Sequence, residues 1–551
     1  MRRLFILYIA CTALFNVYAQ APKQEMRAVW LTTLNGLDWP RSHQPETQKQ
    51  ELRQALDLMK AAGINTVLMQ TRVRATTIYP SAIEPMDGCL TGTVGKATPY
   101  DALQFAIDEC HQRGMQLHAW VVTIPIGKWN SAGCQQLRNK YPKMIVKLGD
   151  EGFMSPEHPE TAGYIAKCCK EIVTNYDIDG IHLDYIRYPE TWPKAKRGKG
   201  QQNDANKRRE NITNIVRAIH QAVKAEKPWV MLSCSPVGKH DDLSRYRSGG
   251  WNARSAVSQD AQAWLRTGLM DALFPMMYFK DNNFFPFAID WQEHSYGRII
   301  APGLGIYFLD PKEGRWTLDV VKREMNVLRE IGAGHCFFRY KFLKDNVKGI
   351  YEFTKNFNSH PALVPPMSWL TITPPSAPRN LIMKGHTLEW DGASDKSEAP
   401  YLVYNVYASS VFPVDISKAE NLVATRLMKN CLKIPAVPCL NYAVTTQNRY
   451  GMESKEACQL QLLQKEKSIT PPIHIVRGNT LQLPAKPSTL DAQYIVIETL
   501  QGSTLSVHPY SGSTLNISHL PDGVYQLRSL GKKGRNHRIG FFSVKRRKLT
   551  N

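Results

Sequence analysis

Residues 179–189 read Asp-Gly-Ile-His-Leu-Asp-Tyr-Ile-Arg-Tyr-Pro. A short apolar strand over 178–183 delivers one carboxylate, Asp184, at its C-terminal end, and Tyr185, Arg187 and Tyr188 follow at once. In a parallel α/β barrel that end of a strand is where reacting groups gather. The next helical pattern begins only near Asp204, which argues against Asp184 as a helix cap. Arg187 beside it favours the ionised form. Asp179 opens the strand at the other end and reads as structural. Other strand ends are also rich in polar and aromatic groups: Gln70, Arg72 and Arg74, then Glu84; His118 and Trp120; Tyr278 and Asp281; Tyr307; and Arg339. Each has a plainer reading alone. His118 alternates within an apolar strand and is at least as well explained as a core histidine, and Tyr278 as a packing residue.

The elements that must position these groups come from hydrophobic periodicity. Strands are predicted at 28–33, 66–70, 116–122, 178–183, 230–234, 272–276, 299–303 and 335–338. Helical faces alternate with them. Leu52, Ala55, Leu56 and Met59 are spaced i, i+3, i+4, i+7 and stop at Gly63; Ile212, Ile215, Val216, Ile219 and Val223 repeat the pattern. Strand–helix alternation over 25–362 predicts a (β/α)8 TIM barrel enlarged by insertions. A doubly wound open sheet is the alternative, but no glycine-rich phosphate loop follows the first strand. Long loops at about 71–98, 123–157 and 185–203 would wall a cleft on one face. Prolines cluster at 361–378 as a linker, and alternating strands then predict two small all-β sandwich domains, 374–465 and 468–551.

The bulk properties bound the context. Residues 1–19 have a charged start at Arg2 and Arg3, an apolar run and a small-x-small end at 17–19, the three parts of a secretory signal. The mature chain is therefore expected to be exported, periplasmic or at the cell surface, with no integral membrane segment. Its formal charge of +21 becomes +19 without Arg2 and Arg3. In an exported protein this favours an acidic glycan over nucleic acid as partner. Lys194, Lys196, Arg197, Lys199, Lys207, Arg208 and Arg209 would crowd the loop after the fourth strand, either over the cleft mouth or as a solvated insertion. The eleven cysteines show no metal-ligand spacing, so no metal or cofactor is expected. Cys234 and Cys336 read as buried thiols; Cys431, Cys439 and Cys458 are close enough to allow a disulfide.

Five stretches in order resemble the bacterial glycosyl-hydrolase-like family 10: Arg-Ala-Val-Trp-Leu-Thr-Thr at 27–33, Tyr-Pro-Ser-x-x-Glu-Pro at 79–85, Thr-Pro-Tyr-Asp-x-Leu at 98–103, His-x-Arg-Gly-x-x-x-His-Ala-Trp at 111–120, and the 179–189 segment. The chain departs from that pattern after Trp120, where Val-Val-Thr-Ile-Pro stands in place of an Asn-Pro-Tyr-Arg-like run. The resemblance implies a secreted TIM-barrel glycoside hydrolase acting on a bacterial cell-wall or related polysaccharide, with peptidoglycan strands favoured. Such a reaction asks for two carboxyl groups, about 5 Å apart for retention and about 6.5–9.5 Å for inversion. Asp184 is the first, expected as nucleophile or base, with Asp281 and then Glu84 as candidate partners. Asp38, Gln70, Arg72, His118, Trp129, Tyr185, Arg187, Tyr278, Tyr307 and Arg339 are candidate substrate-binding residues. A run from Tyr442 to Ser454 resembles the last hairpin of a fibronectin type III domain, with Trp390 and Tyr442 as core residues. A catalytically inactive glycan-binding barrel is the alternative function. A metal-dependent deacetylase lacks a His/Asp ligand set.

Overall fold

The computed structural model describes residues 21–193, 201–246, 251–397, 399–434, 440–462, 473–476, 479–483, 492–500, 502–511, 514–531 and 536–544. The signal segment, Cys439 and Lys194, Lys196, Arg197 and Lys199 lie outside them. The molecule is a mixed α/β protein built on one curled parallel sheet. In spatial order its strands are Ile299–Ile300, Ala272–Leu273, Met231–Cys234, Gly180–Asp184, Gln116–Val122, Thr66–Arg72, Arg27–Leu31, His335–Phe337 and Gly303–Leu304. The two edge strands are separated in the chain only by Ala301 and Pro302, so the sheet curls until its edges meet in sequence. All eight predicted strand positions fall on this sheet, the seventh as the two short edge strands.

Alternation along the strands sorts the side chains into two cores. Val29 and Leu31, Leu117, Ala119 and Val121, and Ile181 and Leu183 face the helices. Ala28 and Trp30, Trp120 and Val122, Met231, Ala272 and Phe274 fill the inside of the curl. Burial on both faces is what a parallel sheet under helices demands, and it explains why these strands read as continuous apolar runs. The helices carry matching stripes. Pro45–Ala61 buries Leu52, Ala55, Leu56 and Met59 and starts with Pro at its first position. Ala102–Gln112 is capped by the Asp101 carboxylate, which accepts from the N–H groups of Leu103 and Gln104.

Two expectations about the loops are corrected. The insertion at 123–157 contains a helix, Ala132–Lys140, and a three-stranded antiparallel sheet of Pro125–Lys128, Glu151–Met154 and Ile145–Leu148. Lys207, Arg208 and Arg209 lie in the helix Gln201–Glu226, not in a loop, because that helix starts before Asp204. Beyond the parallel sheet the structure is all β. A three-stranded sheet (Arg379–Lys384, Thr387–Asp391, Cys431–Lys433) and a four-stranded one (Leu422–Leu427, Val403–Ser409, Asn441–Gln447, Cys458–Leu460) share a core that holds both Trp390 and Tyr442. A five-stranded and a two-stranded sheet follow. The described cysteines are free thiols; Cys234 and Cys336 are buried, Cys431 is exposed and Cys458 half-buried.

The all-β region is bound to the underside of the parallel sheet by charge. Asp179, at the N-terminal end of its strand, lies 2.6 Å from an Arg426 nitrogen and 2.9 Å from His111 Nε2, and accepts from Leu117 N–H at 2.9 Å. Arg449 adds contacts to Asp179, to Asp177 at 3.1 Å and to the Ile178 carbonyl. Despite complete burial, these cations hold the Asp179 carboxyl well below the usual range. Gly114 (φ +65°) comes so close that a Cβ there would sit 2.0 Å from the Thr425 carbonyl oxygen.

Candidate active site

Asp184 is the last residue of its strand, and strand parity points it inward with His182. His182 lies one layer below, accepting from Trp30 Nε1–H at 3.1 Å and bonded to Ser233 Oγ at 3.0 Å. Burial holds it neutral. Above it the Asp184 carboxylate accepts three bonds: from Tyr185 N–H at 2.8 Å, Ser235 Oγ–H at 3.0 Å and Trp120 Nε1–H at 3.1 Å. Each donor comes from a different strand end. Tyr185 itself has φ +52°, an unfavourable conformation for a bulky residue that turns the chain sharply after the carboxylate.

The Asp184 carboxyl is raised from its ordinary value, first because it is buried; Ser235, Arg187, the Tyr185 N–H and Trp120 all act in the opposite direction but do not outweigh it. Arg187 does favour the ionised form, as expected, but burial outweighs it and the net shift is upward. A carboxyl group shifted in that direction is closer to the requirement for a general acid than an unshifted one. Arg187 makes its ion pair with Glu190, at 2.8 Å, and lies between the rings of Tyr185 and Trp251 at 4.7 and 5.2 Å. Its Nε is buried without a hydrogen-bond partner.

The proposed partners do not face Asp184 as free carboxylates. Asp281 sits in the turn Asp281–Asn283, its side chain 62% exposed and 3.7 Å from Arg323. It was placed by its position after the sixth strand, but the chain turns outward there toward the helix Leu318–Glu330. Glu84 is buried and clamped: Arg72 donates to both its oxygens, at 2.8 and 2.6 Å, and Tyr164 O–H donates at 2.8 Å. The same Arg72 reaches the carbonyls of Val122 and Thr123. Arg72 and Glu84 thus fasten the loop after the second strand to the end of the third, which places them in support of the cleft.

Asp38 is likewise fully committed. It accepts from Arg339, from Lys341 N–H at 3.1 Å and from Thr32 N–H at 3.0 Å. Asp38 and Arg339 therefore tie the first loop to the last. Gln70 Oε1 accepts from the N–H groups of Thr33 and Leu34, at 3.0 and 2.8 Å, and shapes the first loop. His118 is the core histidine of its plainer reading. It is buried, bonded to Gln116 Oε1 at 3.1 Å and pushed down to about 4 by desolvation, under Gly180, where a Cβ would meet it at 2.6 Å. Trp129 is half-buried beneath the Arg138 guanidinium at 4.4 Å, on the outer loop. Tyr278, Tyr307 and Phe338 form an aromatic wall with centroids 5.3–5.9 Å apart. Tyr278 lies near enough to Asp184 for that carboxylate to act on its phenol.

The sequence reading missed Ser235, Glu190 and Trp251. Ser235 directly follows the fifth strand and had the positional signal of a strand end, without an unusual residue type to mark it. Among the described residues, one group has metal-ligand spacing, Asp290, Glu293 and His294, on the outer helix Phe285–Glu293 and just past it. Glu293 is paired with Arg245 at 2.6 Å and Asp290 accepts from Gln262 at 2.8 Å, so these carboxylates are already partnered. No helix among the described residues is long and apolar enough to cross a membrane.

Comparison with known proteins places this site in context. Residues 25–303 match the sequence model of the family described as "Glycosyl hydrolase-like 10". The chain is 30% identical over 399 residues to the glycosyl hydrolase YngK of Bacillus subtilis (strain 168), covering 66% of this chain and 78% of that protein. It is 31% identical over 293 residues to the glycosyl hydrolase DigH of Escherichia coli (strain K12), covering 47% of this chain and 66% of that protein, just under two thirds. Among solved structures, the PgaB (BpsB) glycoside hydrolase domain from Bordetella bronchiseptica aligns with a TM-score of 0.44 and 13% identity over 60% of this chain and 98% of that one.

Proposed function

The chain belongs to the glycosyl hydrolase-like 10 family, and from that premise we propose that it is an exported enzyme that hydrolyses O-glycosidic bonds of a bacterial cell-wall polysaccharide, peptidoglycan glycan strands foremost. On this reading the curled sheet is a closed (β/α)8 barrel, Asp184 is its general acid, and the β-rich regions are appended domains, the first of them fibronectin type III-like. One observation carries the catalytic assignment: Asp184 is buried at a strand end, hydrogen-bonded from three elements and raised toward its protonated form.

A protonated carboxyl group donates its proton to the glycosidic oxygen as the C–O bond to the anomeric carbon breaks; a water oxygen takes its place at that carbon, directly or after a partner carboxylate, and the water's proton passes to a carboxylate. Trp120, Ser235 and the Tyr185 N–H then stabilise the carboxylate that forms, so the same bonds that oppose protonation in the resting enzyme assist the step. Tyr185, Tyr278 and Tyr307 supply faces for pyranose rings. Glu190, 49% exposed and paired with the guanidinium next to Asp184, joins Asp281 and Glu84 as a candidate partner. A non-catalytic glycan-binding barrel is supported by one fact, that neither Asp281 nor Glu84 faces Asp184 as a free carboxylate. Turnover separates the two. Glycan cleavage by the wild type that is lost in Asp184→Asn supports the hydrolase; binding without cleavage by the wild type supports the alternative.

A further inference from the structure

A cavity of about 690 Å³ opens among the loops that follow the first three strands of the parallel sheet. Its lining includes Arg41, His43, Arg74 and Lys128 against a single acid, Asp87. Asp87 is occupied, since its oxygens accept from Thr76 Oγ–H at 2.6 Å and from Cys89 N–H at 2.8 Å. The cations are far less committed. Arg74 and Lys128 share one distant oxygen of Glu151, at 3.3 and 3.7 Å, and Lys128 is 67% exposed. The Arg41 guanidinium makes no ion pair or hydrogen bond with the described residues. No Trp, Tyr or Phe lines the cavity, so it offers no face for a neutral sugar ring. Its recognition chemistry is charge.

The cavity opens on the same face as Asp184, since its three loops and Asp184 all stand at the C-terminal ends of strands in one parallel sheet. The wall that carries Lys128 lies in the insertion after the third strand. The single Glu151 oxygen that lies 3.3 Å from Arg74 and 3.7 Å from Lys128 shows that both cations can turn toward one carboxylate.

We propose that this groove is a subsite for a carboxylate substituent on the glycan, held by Arg41, Arg74 and Lys128 while neighbouring rings lie against the tyrosines around Asp184. The proposal rests on the glycan-hydrolase reading above, and its test is a binding measurement so that the two stand or fall apart. In an Asp184→Asn background, calorimetry compares peptide-free peptidoglycan strands with the same strands after chemical reduction of their carboxylates to alcohols. Two or three partly exposed ion pairs predict about tenfold tighter binding of the native strands at low salt. The ratio should fall toward one when Arg41→Gln and Lys128→Gln are added, and also at high salt. Equal affinity for the two strands, no binding of either, or a preference that survives the double substitution would overturn the subsite. A preference present in binding with no cleavage by the wild type would support the subsite and overturn the hydrolase reading instead.

Discussion

Asp184 combines two properties that a surface carboxylate lacks: burial that favours its proton, and three donors ready for its charge. The sign of the pH dependence follows. A general acid works while protonated, so kcat/KM should be full below the folded pKa of Asp184 and fall as pH rises through it. Trp120 donates to the charged form; Trp120→Phe should raise the pKa further and move the basic limb of the pH–rate profile to higher pH. An unmoved limb would detach that limb from Asp184. Glu324 gives a second test at this scale. Both its oxygens are buried without partners, and its pKa is well above the usual value. Such a group contributes stability below its unfolded pKa, near 4.3, that is lost as pH rises toward its folded one. Glu324→Gln should therefore stabilise the protein at neutral pH by about 1–3 kcal/mol, read as a higher denaturation midpoint, with little gain near pH 4. Residue type and position marked Asp184 in the sequence as a carboxylate at a strand end, where the structure places it. The sign of its shift was not legible there, because the sequence displays Arg187 next door while the burial that outweighs it comes from other strands. Glu84 and Asp38 misled for a related reason: their partners Arg72 and Arg339 are 12 and 301 residues away, and only folding shows their charges to be spent.

Strands were the most legible elements, since burial on both faces forces continuous apolar runs that composition cannot hide. The hairpin sheet within 123–157 was illegible because its strands are short and pair only with one another. Also hidden was the union of the parallel sheet with the all-β region. Nothing local marks Arg426 or Arg449 as the partners of Asp179, although Asp179 itself was read as structural from its place at the strand start. Removing one partner from a buried ion pair leaves a charge stranded, so Arg426→Met should destabilise the protein by about 3 kcal/mol, measured by denaturant unfolding at pH 7. The depressed Asp179 carboxyl contributes stability above its unfolded pKa, about 3.9, that is lost as pH falls through its folded value. The penalty of Arg426→Met should shrink with acidification. An equal penalty at pH 7 and at low pH would mean that packing rather than charge joins the two regions.

At the scale of the whole molecule, the net charge of +21 takes on a location. Part of it is concentrated in the groove among the first three loops, on the face that carries Asp184, and the tyrosine wall stands across the same strand ends. Loops fastened to one another by Arg72–Glu84 and Asp38–Arg339 hold this face in shape, while the Asp179 network fixes the opposite face to the β-rich region. The proposal that the enzyme acts on an acidic, extended glycan draws on this arrangement, and its central claim is the role of Asp184. Its most direct test is mass spectrometry of peptidoglycan strands, intact and stripped of peptides, after incubation with the full chain and with Asp184→Asn. Reducing-end fragments released by the wild type and missing with Asp184→Asn are the expected result. The same fragments at an undiminished rate with Asp184→Asn would contradict it.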